Sequence, residues 1–181
     1  EKNWPALAEP LDGFVVSEMQ KASRRLGMGI AFGHPIAGEH GKIYNSAVLL
    51  GKSGDIIFTY NKSYPTIWEL ENGVCPGDGA KVVDCEFGRL GFAVCFDLNF
   101  HELRRSYAEQ RPDMIAFLSA FRGGLQTRWW AYETRCHLIS SVIDCRSLVV
   151  NPLGRILAST DAWNRFAAAE LRLDCGVVHL D

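Results

Sequence analysis

Apolar side chains recur at helical spacing through residues 14–27, FVVSEMQKASRRLG, and stop at Gly27. An amphipathic helix closed by a C-terminal glycine is predicted there. MGIAFG follows as a buried strand. KIYNSAVLLG (42–51), a KSGD turn and DIIFTYN (55–61) alternate as a β-hairpin does. From Lys62 to Ala80 prolines and glycines break every period, and a loop is expected. KVVDCE and RLGFAVCF read as strands joined at Phe87-Gly88. NFHELRRSYAEQ (99–110) reads as a helix with Asn99 as N-cap and Glu102 completing a capping box. DMIAFLSA predicts a strand, FRGGLQ a break and TRWWAYETRCHLI a helix. SSVIDC, SLVVNP, GRILAST and FAAAELRLD predict further short strands.

Helices separate strands in the middle of the chain and hairpins dominate its flanks. That mixture argues for a layered α/β sandwich rather than a Rossmann wheel, and neither GxGxxG nor GxxxxGKS occurs. With no repeat or low-complexity linker, residues 1–181 are expected to form one domain. A net charge of −2 offers neither a basic footprint for nucleic acid nor a polybasic membrane patch. The apolar runs fall short of a bilayer span. The opening EKNWPALAEP has no secretory pattern and begins in mid-pattern, as an excerpt or a processed chain would. Six cysteines without a CxxC pair give no zinc knuckle. They read as reduced thiols, which suits the cytoplasm.

Candidate chemistry gathers at two strand ends. In GFAVCFDLNF, Cys95 stands where a buried strand stops and a helical pattern begins. A thiol attacks only as thiolate, and its ordinary pKa near 8.5 leaves little of it at neutral pH without a nearby base or cation. Position alone leaves Cys95 open between a packed core thiol and a nucleophile. Lys62 follows the strand DIIFTYN on a proline-containing loop. It is either a solvated lysine or the positive charge that holds a developing oxyanion.

Taken in order, GKIYNSAVLLGKSGDII, TYNKSYP, ENGVCPGD, FGRLGFAVCFDLNFHELRR, PDMIAFLSA and SLVVNPLGRILAST resemble the nitrilase superfamily of carbon–nitrogen hydrolases. The resemblance covers roughly residues 5–173. It implies a four-layer α-β-β-α sandwich that pairs into dimers or larger homo-oligomers. It also implies Cys95 as nucleophile, with the Lys62 ammonium and the Phe96 N–H on the oxyanion and Asp97 beside them. A glutamate between lysine and cysteine orients the lysine or assists the base, and both Glu69 and Glu71 lie in that stretch, Glu69 being favoured. No metal or organic cofactor is implied, and the substrate is a small amide, N-carbamoyl compound or nitrile. The same thioester could pass to an amine, making an acyltransferase.

Three departures stand beside this pattern. The family's general-base glutamate, in a hydrophobic–proline–glutamate context, has no counterpart in residues 1–181. That glutamate and the first strands are expected upstream of residue 1, and the C-terminal extension is mostly absent. A truncated, non-catalytic scaffold is therefore the third reading. His101 stands where the family has proline. A Cys95/His137 dyad and an Asp97/His101 metal pair are weaker alternatives. Trp129 and Trp130 suggest helix packing, and Arg122-Gly123-Gly124 a turn near the pocket.

Overall fold

The computed structural model describes residues 3–143, 146–174 and 176–177. The chain divides into two compact units, Glu1–Gly79 and Ala80–Asp181.

In the first unit, a short helix α1 (Trp4–Leu7) precedes α2 (Phe14–Leu26). Val16 and Ser23 of α2 are fully buried, and Met19 between them packs on the core, which makes the i, i+3, i+7 stripe of a half-buried helix. Gly27 takes φ +61 and its N–H bonds back to the Arg24 carbonyl, a left-handed stop that glycine adopts at little cost. Strands β1 (Ile30–Ala37), β2 (Ile43–Leu50) and β3 (Ile56–Asn61) form an antiparallel sheet in the order β1-β2-β3. Val16, Ile36, Val48 and Leu50 make its core, with Phe32 and Ile56 packed against them. Alternation along β1 and β2 puts these side chains on one face. The expected loop from Lys62 holds one short helix, α3 (Ile67–Glu71).

The second unit is a six-stranded mixed sheet ordered β4-β5-β6-β7-β8-β9. These strands are Val83–Cys85, Gly88–Val94, Met114–Ser119, His137–Val142, Leu148–Val150 and Ile156–Ser159. β5, β6 and β7 run parallel, in the register Leu90–Met114–His137 at one end and Val94–Leu118–Ser141 at the other. Parallel neighbours need crossovers. α4 (His101–Gln110) and α5 (Leu125–Thr134) supply them. Tyr107 of α4 and Trp130 of α5 are fully buried with ring centroids 6.3 Å apart. The Tyr107 hydroxyl donates to the Phe92 carbonyl at 2.6 Å and accepts from the Phe92 N–H at 3.2 Å, which pins α4 to the middle of β5. Fully buried Phe92, Ile115, Phe117 and Leu138 fill this core.

Three expectations change. The helix over TRWWAYETRCHLI stops at Thr134, because Arg135 turns left-handed at φ +55 and His137 N–H joins the Asp113 carbonyl as β7 begins. Asn99 caps no helix: its amide donates to the Phe96 carbonyl and its oxygen accepts from Gln126. FAAAELRLD forms no strand. Part of SSVIDC, residues 144–145, lies outside the described residues.

A side chain at Gly91 would put its Cβ 2.7 Å from the Tyr107 ring. Gly91→Ala is expected to destabilise the protein by about 1–3 kcal/mol through overpacking. Thermal unfolding should show a lower midpoint, and an unchanged Tm would refute the close approach.

Candidate active site

Lys62 is the first residue beyond β3 and is 1% exposed, unusual for a lysine. Its N–H donates to the Asn45 carbonyl at 2.8 Å, and its own carbonyl accepts from the Gly77 N–H at 2.8 Å. The backbone at Lys62 is thus clamped between β2 and the Pro76-Gly77-Asp78 turn. A Cβ on Gly77 would collide with the Asn61 backbone, so that turn requires glycine. The Lys62 ammonium lies 2.6 Å from Glu69 Oε2. The same oxygen accepts from the Thr66 N–H at 2.7 Å, while Oε1 accepts from Asn45 Nδ2 at 2.7 Å. Thr66 returns the contact by capping α3 through the Glu69 N–H at 3.2 Å, which completes a capping box.

Burial on its own would raise the Glu69 carboxyl's pKa. The hydrogen bonds from Lys62, Thr66 and Asn45, with the lysine charge, outweigh it and hold the group below its ordinary value. The result is a buried, oriented ion pair at a strand end. Of the two glutamates the sequence left open, Glu69 meets Lys62, whereas Glu71 is exposed.

Cys95 follows β5 directly and opens a 3₁₀ turn, Cys95–Asn99. Its φ is +51, a left-handed conformation rare outside glycine, asparagine and aspartate. Such strain, of order 1–3 kcal/mol, persists only where the surroundings impose it. Here Asp97, fully buried, accepts the Val94 N–H at 2.9 Å and folds the turn back on the strand. Leu98, also buried, offers its carbonyl to Trp130 Nε1 at 2.9 Å. Cys95 is left half-buried at the carboxyl edge of a parallel strand. The Phe96 N–H belongs to the first turn, where amides have no partner within the helix. The Phe96 ring packs edge-on against Phe100 at 5.4 Å.

The lesser candidates separate on geometry. His137 opens β7 at the Leu90 end of the register, whereas Cys95 lies beyond Val94 at the other. That is roughly 16 Å away along the strands, so no Cys95/His137 dyad forms. His101 Nδ1 pairs with Arg104 at 2.9 Å, and among the described residues no group of His, Cys, Asp or Glu could hold a metal ion. Cys136 is buried, which pushes its thiol up to about 12 and makes it inert. Trp129 carries the Arg104 guanidinium 4.1 Å above its ring, while Trp130 is core. Sequence reasoning missed Asn45 and Thr66. Thr66-x-x-Glu69 is a legible capping-box pattern and would have selected Glu69, but nothing local marks Asn45.

A mixed α/β chain with two sheets and a strand-end thiol belongs to a recognisable class. The family model for carbon-nitrogen hydrolase matches residues 1–175, and the chain belongs to that family. It is 28% identical to human deaminated glutathione amidase, over 84% of this chain and 56% of that one. The chain thus spans about half the length of the curated relatives it matches. The carbon-nitrogen hydrolase of Helicobacter pylori G27 shares the fold with a TM-score of 0.78 at 20% identity, over 88% of this chain and 67% of that one. An amidase from Nesterenkonia sp. AN1, in a form showing Michael addition of acrylamide at its active site cysteine, gives a TM-score of 0.69 at 22% identity. That match covers 80% of this chain and 63% of the other. The nitrilase-type α/β fold expected from the motifs is the fold observed.

Removing one partner of a buried ion pair strands the other charge. Glu69→Gln is expected to cost about 3 kcal/mol at pH 7, and Glu71→Gln less than about 0.5 kcal/mol. Because the folded carboxyl's pKa is depressed, its stabilisation is present above the unfolded value near 4.3. It is lost as pH falls through the lower folded value. Denaturation from pH 7 to pH 3 should therefore show the gap between wild type and Glu69→Gln closing in acid. A gap independent of pH would refute the pairing.

Proposed function

We propose that the protein is a cysteine-dependent hydrolase of non-peptide carbon–nitrogen bonds, amides foremost, acting through a thioester on Cys95. The observation that carries the reading is Cys95 at φ +51 on the carboxyl edge of a parallel strand. Layered α/β proteins bind and react at that edge, and a strained turn that presents a nucleophile is how such sites are built. The buried Lys62–Glu69 pair supports it, since a desolvated ion pair adds little to stability. The amidase name of the human relative and the acrylamide-modified cysteine of the Nesterenkonia enzyme agree with it.

A base removes the Cys95 proton and the thiolate attacks the amide carbon. Lys62, oriented by Glu69, and the Phe96 N–H stabilise the tetrahedral oxyanion. The C–N bond breaks as nitrogen takes the proton and leaves as ammonia or amine. Water, losing its proton to the same base, cleaves the thioester to a carboxylate and restores the thiol. Asp97 positions the turn rather than touching substrate. By the family pattern the base is a glutamate in a hydrophobic–proline–glutamate stretch. Residues 1–181 contain none, so we assign turnover to the whole protein.

Both units serve one carbon–nitrogen hydrolase domain in this reading. The protein works in the cytoplasm, where Cys75, Cys85, Cys95 and Cys136 stay free thiols. It self-associates, and Leu125, Trp129 and Tyr132 on α5 are exposed apolar side chains that suit such a contact. Among the described residues no helix is long and apolar enough to cross a membrane.

The test is hydrolysis by the full-length protein across aliphatic amides, N-carbamoyl amino acids, ω-amides and nitriles. Cys95→Ala and Cys95→Ser should lose turnover by about 10³-fold or more with an unchanged circular dichroism spectrum. Acrylamide should alkylate Cys95 well before Cys136, read by mass spectrometry. Undiminished hydrolysis by Cys95→Ala sinks the reading.

A further inference from the structure

The turn that presents Cys95 is held from outside as well as from within. Asp97 and Leu98 tie its inner side to β5 and to Trp130. Its outer side carries a second brace that the proposed chemistry leaves unassigned. Asn99 Nδ2 donates to the Phe96 carbonyl at 3.1 Å, and Asn99 Oδ1 accepts from Gln126 Nε2 at 2.8 Å. A backbone carbonyl only accepts. Asn99 must therefore turn its nitrogen to Phe96 and its oxygen to Gln126, which has to present nitrogen in its turn. The polarity of this relay is fixed at every member.

One close approach brings Gln126 into reach. It is the second residue of α5, and its own N–H bonds to the Gly123 carbonyl at 2.9 Å. Gly123 is buried at φ +67, and a Cβ on it would lie 2.6 Å from Thr127 Cγ2 and 3.1 Å from Leu98 Cδ1. Glycine alone lets the connection from β6 to α5 pass so near the Cys95 turn. Gln126 and Trp130 stand four residues apart and so share one face of α5. They meet Asn99 and Leu98, consecutive residues of the turn.

What these contacts hold is the peptide between Cys95 and Phe96. A planar peptide reorients as one unit, by linked changes in ψ before it and φ after it. On one side the Val94 N–H is bound by Asp97, and on the other the Phe96 carbonyl is bound by Asn99. The strained φ of +51 at Cys95 favours rotation of that plane, and the two bonds oppose it. We propose that Asn99 and Gln126 are positioning residues, whose relay keeps the Phe96 N–H aimed at the developing oxyanion. The oxyanion rests on the amidase reading, whereas the brace on the turn does not.

Three variants of the full-length protein test this. Asn99→Asp keeps the shape but sets an oxygen against the Phe96 carbonyl, and Gln126→Met removes the outer donor. Gln110→Met, which removes an amide bonded to the Ala80 carbonyl from the last residue of α4, is the control. Against the best amide of the panel, kcat should fall about tenfold in both relay variants with KM within about twofold of wild type. Hydrogen exchange read by mass spectrometry should quicken over residues 95–99 in both and stay unchanged over β5 and β6. The control should match wild type in both measurements. An unchanged kcat in both relay variants overturns the positioning role, and so does a raised KM at constant kcat. Exchange that quickens across β5 and β6 as well marks a general loosening and also overturns it. Exchange that quickens only at the turn, in a protein whose wild type hydrolyses no amide, overturns the amidase reading and leaves the brace standing.

Discussion

Three parallel strands in register set what the second unit can do. Because β5, β6 and β7 point the same way, their carboxyl ends open onto one edge, and each is followed there by a turn free to carry function. Cys95, the Arg122 loop and the chain beyond Val142 all follow such ends. The register depends on the crossover helices staying docked. The two hydrogen bonds between the Tyr107 hydroxyl and Phe92, and the Trp130 contact to the Leu98 carbonyl, hold them. The same contacts brace the turn that keeps Cys95 in a conformation a free chain would leave.

Charge in the first unit follows a different logic. Lys62 and Glu69 are both withdrawn from water, and their mutual attraction does little more than offset that withdrawal. The carboxylate is bound by three donors at once, the lysine, the Thr66 amide and the Asn45 side chain. An ammonium with such a partner keeps one direction, as electrostatic stabilisation of a developing oxyanion requires. Folding alone would have been served as well by apolar residues of similar size.

Much of this was legible in the chain. The period of α2 and its Gly27 stop, the β2–β3 hairpin and the strand leading to Cys95 are all local signals, and all are found. Failures came where a local pattern had a non-local competitor. Asn99-x-x-Glu102 and Thr66-x-x-Glu69 are both capping-box patterns, yet only the second caps a helix, because the Asn99 side chain is taken by Phe96 and Gln126. The helix through His137 was over-extended because Arg135, not glycine, makes the left-handed turn, and β6 then recruits His137.

By itself the sequence determined where most of the strands and helices form and that Cys95 stands at a strand end. Periodicity, caps and glycines act within a few residues of themselves, and the ordered motifs suffice to place the chain in its family. Only the tertiary structure decided that Lys62 takes Glu69 rather than Glu71, and that Asn45 supports the pair. It also decided that Gln126, from a separate stretch, meets Asn99 beside the Cys95 turn. The reason is physical: sheet register and burial bring distant side chains together, and neither is written in the spacing of residues along the chain.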